Sequence, residues 1–404
     1  MGVLRPPETV LFGDGMIDAL PEMAGRFGDK ILICTDKIVS AFSVVSSIID
    51  QMRAGGATVV VFEDTAPELP VDCVHDCMDR QEGFVPDVVI GIGGGSCVDL
   101  AKLVALALRH GRELDQFYGE NLVPSATIPV IAVPTTAGTG SEATPVAVLD
   151  DKSRELKVGI SSRFLVPKIA LVDPALTATC PAGLSAASGA DALTHAIEAF
   201  TAVQREPSSD LEAAQVFVGK NDLSDQFARE AITLISDNLE TVVKDGANLG
   251  ARNRMAYGAM LAGMAFGAAG TSAAHAIQYP IGALTKTAHG LGVAALMPYV
   301  MAYNRPSCTT EFAQIATAMG FESGTESERA DRAVFRVAEL FAAVGIPKTL
   351  PELGVTKDQL DWIVDHSLLP ARLVNNNPRP LERQGIQEIV NDAMTGEINL
   401  RSEM

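Results

Sequence analysis

The chain has 404 residues, which at roughly 150 residues per domain is enough for two or three domains. Hydrophobic residues make up 47% and charged residues 20%, a composition that is typical of a soluble enzyme and excludes a disordered chain. The 50 acidic residues outnumber the 31 basic ones, and the formal net charge of −19, without any Lys/Arg-rich block, excludes nucleic acid and anionic membrane surfaces as partners.

The beginning of the chain and its cysteines favour a cytoplasmic location. No basic stretch followed by a long apolar run opens the sequence, so we expect no signal peptide, and no apolar stretch has the features of a membrane span. Cys73 and Cys77 lie on either side of His75, but no second pair of ligands follows, so a zinc knuckle is disfavoured. We expect the six cysteines to be reduced thiols.

The first part of the chain alternates short apolar runs with helical patterns. The runs are continuously apolar, which is typical of parallel strands that are covered on both faces. This pattern predicts an α/β, Rossmann-like nucleotide-binding domain over residues 1–180. The predicted strands are 30–35, 57–62, 87–92, 128–133 and 169–172, with a helix over 43–55.

The remainder, residues 181–404, is rich in alanine and in helical periodicity, and it predicts an all-helical domain. The candidate metal ligands described below lie in this domain. Residues 205–221 form a polar excursion between two of its helices. The predicted helices are 183–203, 224–245, 253–266, 272–279, 290–303 and 329–344.

A glycine-rich turn follows the strand 87–92. Gly93, Gly94, Gly95 and Ser96 lead from this strand into a predicted helix over 98–110. Glycines let backbone N–H groups approach a phosphate, and a helix N-terminus favours negative charge, so the segment predicts a phosphate site. A tight turn that needs positive φ explains one or two of these glycines but hardly three in a row.

An aspartate follows the first predicted strand. The carboxylate of Asp36 is placed to bond a ribose 2′-hydroxyl and to repel a 2′-phosphate, which favours NAD over NADP. Asp36 is equally well explained as the N-cap of the next helix.

A second polar loop follows the strand 128–133. Its hydroxyls, on Thr135, Thr136 and Thr139, suit contacts with a phosphate, a ribose or the nicotinamide amide, and Lys157 can neutralise a pyrophosphate. The alternative for this loop is a surface segment with a helix cap.

One carboxylate and three imidazoles suggest a metal site. Asp191 and His195 are four residues apart and so project from one helical face. His275 lies in another Ala-rich helix, and a break near Pro280 and Gly282 can fold His289 back beside it. Each histidine alone is better explained as an ordinary core or surface residue, but the set suits Fe(II) or Zn(II), or another divalent metal, with an open position for a substrate oxygen.

Taken together, these segments resemble the iron-containing (group III) alcohol dehydrogenase family, which shares its fold with glycerol dehydrogenase and dehydroquinate synthase. The resemblance implies that Asp191, His195, His275 and His289 hold the metal. It also implies a dinucleotide site formed by Asp36, Gly93, Gly94, Gly95, Ser96, Asp99, Thr135, Thr136, Thr139 and Lys157. The matching segments are Gly93–Ser96 with Asp99 and Lys102, then 134–142, Lys157, 171–177, 189–198, 275–290 and 377–380.

The chain departs from the family pattern at three places. Many members carry a further histidine near the substrate, four residues after the third ligand, where this chain has Tyr279. Tyr279, or a water held near it, is our candidate for relaying the hydroxyl proton. Glu68 stands where an asparagine is common, a change that can weaken or retune cofactor binding. The excursion 205–221 is longer than in many relatives, and we assign it no function.

The resemblance implies metal-assisted hydride transfer between a small alcohol or aldehyde and NAD(H), in a homodimer or larger homo-oligomer. Within the same fold, the alternative is a hydroxyacid-oxoacid transhydrogenase that retains its cofactor. A lyase related to dehydroquinate synthase is disfavoured, because the helical half lacks a cluster of basic residues for a charged substrate. A filament-forming assembly protein is disfavoured because all four candidate ligands are present.

Overall fold

The computed structural model describes residues 2–154, 157–206 and 211–401. Its internal contacts divide the chain into two compact units, which we describe separately. The α/β unit comprises Arg5–Cys180 with Glu212–Val216, and the helical unit comprises Met1–Leu4, Pro181–Leu211 and Phe217–Met404.

A six-stranded parallel sheet forms the centre of the α/β unit, in the order β1-β9-β6-β4-β2-β3. All five predicted strands are confirmed as members of this sheet. Its strands are β1 (Thr9–Phe12), β2 (Lys30–Cys34), β3 (Thr58–Phe62), β4 (Val88–Gly93), β6 (Val130–Pro134) and β9 (Ile169–Val172). The helices of the unit are α1 (Leu20–Gly25), α2 (Lys37–Ser40), α3 (Ser43–Ala54), α4 (Val71–Asp79) and α5 (Gly95–His110).

The register of the sheet brings three loops to one edge. Cys34 of β2 pairs with Gly91 of β4, and Gly93 of β4 pairs with Pro134 of β6. Because the strands are parallel, the segments that follow β2, β4 and β6 leave the sheet at the same carboxyl edge. The chain runs from β2 to β3 on one side and from β4 to β6 and β9 on the other. The ends of β2 and β4 therefore flank a topological switch point, where α/β sheets bind ligands.

Apolar side chains cover both faces of this sheet, which explains why its strands are continuous apolar runs. Along β2, Ile31 and Ile33 enter one buried cluster, whereas Leu32 and Cys34 enter the other. Alternate residues of a strand point to opposite faces, so burial on both sides requires apolar residues at every position.

The sequence did not predict the edge strand β1 or a second, three-stranded sheet. The second sheet has the order β5-β8-β7, with β7 and β8 antiparallel. These strands span two to four residues. Strand β7 is apolar throughout, whereas β1, β5 and β8 each include a polar residue or a glycine and give no continuous apolar run. They are β5 (Gly119–Glu120), β7 (Val146–Leu149) and β8 (Val158–Ser161).

The described part of the other unit is built of helices, so the predicted fold class is confirmed in both halves. The long α6, α8 and α9 pack on one another, and α10 and α11 pack together. The helices are α6 (Ala182–Thr201), α7 (Leu211–Ala214), α8 (Asp222–Lys244), α9 (Leu249–Ala269), α10 (Ala273–Thr285), α11 (His289–Asn304), α12 (Thr309–Ala318), α13 (Glu326–Ala343), α14 (Leu360–His366), α15 (Ala371–Val374) and α16 (Arg383–Thr395). Leu211 belongs to the helical unit and the rest of α7 to the α/β unit.

The expected break near Pro280 and Gly282 was wrong. Helix α10 continues through Pro280 to Thr285 and ends where Lys286 adopts the left-handed conformation, at φ 57°. The buried face of α10 compensates for the hydrogen bond that Pro280 cannot donate. Part of the predicted excursion 205–221, residues 207–210, lies outside the described residues.

No single helix among the described residues is both long and apolar enough to cross a membrane. The two helices α9 and α10 meet that test of length and composition only as a pair, and they are bent by 101°.

Candidate active site

Two of the loops at the carboxyl edge of the sheet lie against each other. Strand β4 ends at Gly93, and helix α5 begins at Gly95 with Gly94 as its N-cap. A Cβ on Gly95 would lie 2.6 Å from Cγ2 of Thr139, and one on Gly93, where φ is +152°, would lie 2.5 Å from Sγ of Cys97. The crowding therefore requires glycine at both positions. The turn therefore carries no side chains at these two positions and lies at the N-terminus of α5, an arrangement that binds anions.

The predicted threonines line this turn. The backbone N–H of Thr135 donates to the carbonyl of Gly93 at 2.9 Å. A Cβ on Gly94 would lie in ordinary contact with Thr136, at 3.7 Å. The structure thus brings Thr135, Thr136 and Thr139 together with the glycine turn and with Ser96, which lies in the first turn of α5.

The structure confirms Asp36 as the N-cap of α2, whereas its contact with a ribose stays a prediction. Oδ1 accepts hydrogen bonds from the backbone N–H groups of Ile38 and Val39, at 2.8 and 2.9 Å, and so caps α2. Oδ2 lies 3.7 Å from Sγ of Cys97 and faces the glycine turn. The carboxylate is therefore held at the switch point by the cap, with one oxygen directed at the neighbouring loop.

Asp99 has partners within the protein. Oδ1 accepts from the hydroxyl of Ser141, and Oδ2 accepts from the backbone N–H of Val148 at 3.0 Å. Burial raises the pKa of Asp99, against the lowering effect of Lys102. Asp99 thus joins α5 to β7, and its predicted contact with a cofactor stays a prediction.

Lys102 is fully buried beneath the loop that follows β6. The sequence did not predict the contacts that Lys102 makes with this loop. Its ammonium donates to the hydroxyl of Ser141 at 2.8 Å and to the carbonyls of Thr144 and Val146 at 3.1 and 2.8 Å. Burial lowers the pKa of Lys102 to about 8, and burial raises the pKa of neighbouring Glu142 to about 7. Lys102 therefore connects α5 to the loop that carries the threonines.

Lys157 forms an ion pair with Glu68, so its ammonium already contacts a carboxylate. Both residues belong to the α/β unit. The sequence singled out the two residues separately but gave no sign that they meet, because 89 positions separate them.

In the helical unit, three predicted ligands come together. One ligand atom from each of Asp191 on α6, His275 on α10 and His289 at the start of α11 lies within 4.8 Å of the other two. Asp191 and His275 are buried, and His289 is partly exposed. A Cβ on Gly290 would lie 2.8 Å from the carbonyl oxygen of Ala187 and 3.0 Å from Cβ of Asp191. The small residue after His289 thus lets α11 begin directly against α6.

His195 lies beside this group of three but is not a member of it. Its Nε2 is 3.7 Å from Oδ1 of Asp191, and its ring centroid is 4.8 Å from that of His275. Its ring also stacks on Phe266, with centroids 4.2 Å apart. The role of His195 as a fourth ligand therefore stays a prediction.

Glu198 is a buried residue of this site that we did not predict, although it lies seven positions after Asp191 on the same face of α6. Oε2 accepts from Nδ1 of His275 at 2.6 Å and from the backbone N–H of Ser272 at 2.9 Å. Burial by itself would raise the pKa of Glu198, but His275 and the backbone donors outweigh that effect and lower it. The hydrogen bond directs the opposite nitrogen of His275, Nε2, toward Asp191.

The residues of this group fit a divalent metal ion. Nε2 of His275 is buried without a hydrogen-bond partner among the described residues, and it lies 3.8 Å from Oδ1 of Asp191, too far for a hydrogen bond. Buried polar atoms rarely remain without a partner, and a carboxylate combined with imidazoles, one of them oriented by a second carboxylate, is typical of Fe(II) and Zn(II) sites.

Tyr279 lies one helical turn after His275. Its ring centroid is 6.2 Å from that of His289, and burial raises the pKa of its phenol. The structure therefore places this predicted proton-relay residue beside the metal-ligand group.

Comparisons with known proteins match both parts of the chain to models of one family. Residues 7–174 match the family model described as iron-containing alcohol dehydrogenase, and residues 185–394 match the C-terminal model of the Fe-containing alcohol dehydrogenase family. The chain is 37% identical to long-chain-alcohol dehydrogenase 1 of Geobacillus thermodenitrificans, covering 98% of this chain and 97% of that one. It is 32% identical to the NAD-dependent methanol dehydrogenase of Bacillus methanolicus, covering 96% and 98%. A crystal structure of 1,3-propanediol oxidoreductase superposes with a TM-score of 0.90 at 32% identity, covering 98% and 100%.

Proposed function

This chain belongs to the iron-containing alcohol dehydrogenase family, and from that premise we propose that it interconverts small alcohols and aldehydes in a metal-dependent, NAD(H)-linked reaction. The observation that carries the proposal is the grouping of Asp191, His275 and His289, whose ligand atoms lie within 4.8 Å of one another. The names of the relatives, which are dehydrogenases of long-chain alcohols and of methanol, support an alcohol as the substrate and leave its chain length to the assay below.

The metal is held by Asp191, His275 and His289, with His195 as the fourth ligand. When bound, Fe(II), Zn(II) or another divalent ion supplies a Lewis acid for the substrate oxygen, and NAD(H) accepts or donates the hydride. Glu198 keeps Nδ1 of His275 protonated and so leaves Nε2 free to bind the metal. Tyr279 relays the hydroxyl proton, supported by its position beside His289.

The dinucleotide is held by the α/β domain, residues 1–180, whereas residues 181–404 form the metal and substrate domain. The glycine turn Gly93–Gly95 with Ser96 receives the pyrophosphate at the N-terminus of α5, and Thr135, Thr136 and Thr139 contact the cofactor from the adjoining loop. Asp36 selects NAD over NADP, because its second oxygen faces the turn and repels a 2′-phosphate. Asp99 and Lys157 complete this cofactor-binding set.

We place the enzyme in the cytoplasm as a homodimer or larger homo-oligomer. No disulfide joins its six cysteines, all of which lie among the described residues, and five of them are buried; this state is typical of a reducing compartment. The oligomer rests on the resemblance to the family.

Net turnover of the cofactor tests the proposal. The full-length protein is reconstituted anaerobically with Fe(II), supplied with NAD, and assayed for NADH with a panel of primary alcohols and diols. We expect NADH to accumulate over many turnovers, and we expect none from metal-free protein or from H289A. A hydroxyacid-oxoacid transhydrogenase would instead transfer hydride between two substrates without net NADH, and that result would overturn the proposal. The relatives, named as dehydrogenases, favour net turnover.

A further inference from the structure

The ion pair between Glu68 and Lys157 lies at the proposed cofactor edge of the sheet. Glu68 belongs to the loop that follows β3, and Lys157 immediately precedes β8. Nζ of Lys157 contacts Oε2 of Glu68. The lysine side chain is only 20% exposed, and that of the glutamate is 41% exposed.

The first half of the Glu68 loop is fixed to the end of β2. The hydroxyl and the backbone N–H of Thr65 both donate to the carbonyl of Thr35, at 2.6 and 3.3 Å. Thr35 immediately precedes Asp36, the residue assigned to the cofactor ribose. The loop that carries Glu68 is therefore part of the same carboxyl edge.

The second half of the loop is fixed to the end of β7. The backbone N–H of Asp150 donates to the carbonyl of Leu69, and that of Val71 donates to the carbonyl of Asp150, each at 2.9 Å. Strand β8, which follows Lys157, is the antiparallel partner of β7. These bonds bring Glu68 and Lys157 to the same place.

The backbone at Glu68 shows that the arrangement is imposed by the fold. Glu68 and Leu69 have φ values of 62° and 48°, in the left-handed region that residues other than glycine rarely adopt. Leu69 is 1% exposed, and its burial holds the loop in this conformation. Glu68 is thus held opposite Lys157 at a conformational cost.

We propose that Glu68 is an affinity-determining residue for the cofactor, which it opposes by occupying the ammonium of Lys157. The inference rests on the proposed function, in which Lys157 neutralises the pyrophosphate of NAD(H). Binding then exchanges one anion, the Glu68 carboxylate, for another on the same lysine. The carboxylate weakens NAD(H) binding and favours release of the cofactor after each turnover.

The test is the dissociation constant of NADH, measured by fluorescence on the full chain without substrate. In E68Q the competing charge is removed while the side chain keeps its size. We expect the dissociation constant to fall about two- to fivefold, the range that corresponds to one partly exposed ion pair. E68N, whose side chain tolerates a left-handed backbone, should show the same change.

Two further variants locate the effect at Lys157. K157M should weaken NADH binding by about tenfold or more, because a charged contact to the pyrophosphate is lost. In the double variant E68Q/K157M, the dissociation constant should equal that of K157M. As a control, E8Q removes the same charge from the Glu8–Lys168 pair, which precedes β1 and β9 at the opposite edge of the sheet, and should leave NADH binding unchanged.

The outcomes distinguish a failure of the proposed role of Glu68 from a failure of the proposed cofactor site. If K157M weakens binding but E68Q and E68N bind NADH as the wild type does, the role of Glu68 is wrong and the proposed function stands. The role of Glu68 is also wrong if E68Q tightens binding equally with and without Lys157. If the wild type does not bind NADH, or if K157M binds it unchanged, the cofactor site itself is wrong, and the inference falls with it.

Discussion

Nδ1 of His275 donates a 2.6 Å hydrogen bond to the buried carboxylate of Glu198. The carboxylate also accepts from the backbone N–H groups of Ser272 and Ala274, at the beginning of the helix that carries His275. One side chain on α6 therefore fixes both the position of α10 and the orientation of its imidazole, so that Nε2 points toward Asp191.

The first prediction concerns this orientation. E198Q keeps the volume of the side chain but removes its charge, so it should lower the affinity for Fe(II) or Zn(II) by about 10- to 100-fold. The measurement is a metal titration by calorimetry on metal-free protein. T201V, which removes a buried hydroxyl that donates to the carbonyl of Ile197 on the same helix, is the matched control and should bind metal normally. Equal affinities for E198Q and the control would show that Glu198 does not tune the site.

The second prediction concerns the close approach of α11 to α6. A methyl group at Gly290 would meet backbone atoms of Ala187, which cannot move aside as the end of a side chain can. G290A should therefore displace His289 and weaken metal binding by about tenfold or more. The control is G183A on α6, where a Cβ meets nothing within 4 Å. If G290A binds metal as tightly as G183A does, the packing of α11 does not position His289.

The third prediction concerns the glycine turn. G95A would place a methyl group 2.6 Å from Cγ2 of Thr139 and so separate the two cofactor loops. We expect NADH to bind about tenfold more weakly, a change of about 1.4 kcal/mol. G25A, at the end of α1 with open space around it, should leave the dissociation constant unchanged. Normal NADH binding by G95A would contradict the assignment of this turn to the pyrophosphate.

The fourth prediction is a dependence of stability on pH. Burial raises the pKa of Glu142 to about 7, so the folded protein holds a proton that the unfolded chain has already lost between about pH 4.5 and 7. The contribution of Glu142 to the free energy of unfolding is therefore greatest below about pH 4.5 and falls, by about 1–3 kcal/mol, as the pH rises to about 7.

E142Q should remove this decline. Chemical unfolding at pH 5, 6 and 7 measures the effect, with the exposed E113Q as the control that keeps the wild-type slope. The same slope in E142Q as in the wild type would show that Glu142 does not hold its proton in the folded state.

The strands of the large sheet were predictable because burial on both faces makes them continuous apolar runs. Strand β1 and the small sheet were not, since short and partly exposed strands follow no such rule. The end of α10 was also predicted at the wrong place. Pro280 favours a helix break because it cannot donate a backbone hydrogen bond, but the packing of the buried helix outweighs that loss.

In the candidate site, too, local features could be predicted from the sequence, whereas contacts between distant segments could not. The residue types and the four-residue spacing of Asp191 and His195 predicted which residues share a helix face, but no spacing shows that His195 stacks on Phe266. Contacts between distant segments, such as Glu68 with Lys157, depend on the tertiary fold. Glu198 could have been found, because its position on α6 repeats the face of Asp191.

The most direct measurement is a titration of the metal-free protein with Fe(II) under anaerobic conditions, with the rate of NADH formation from an alcohol recorded at each step. We expect the rate to rise in proportion to the metal and to reach its plateau at one ion per chain, and we expect D191N and H275A to form no NADH at any point. NADH formation without metal, or a wild-type plateau retained in H275A, would contradict this expectation.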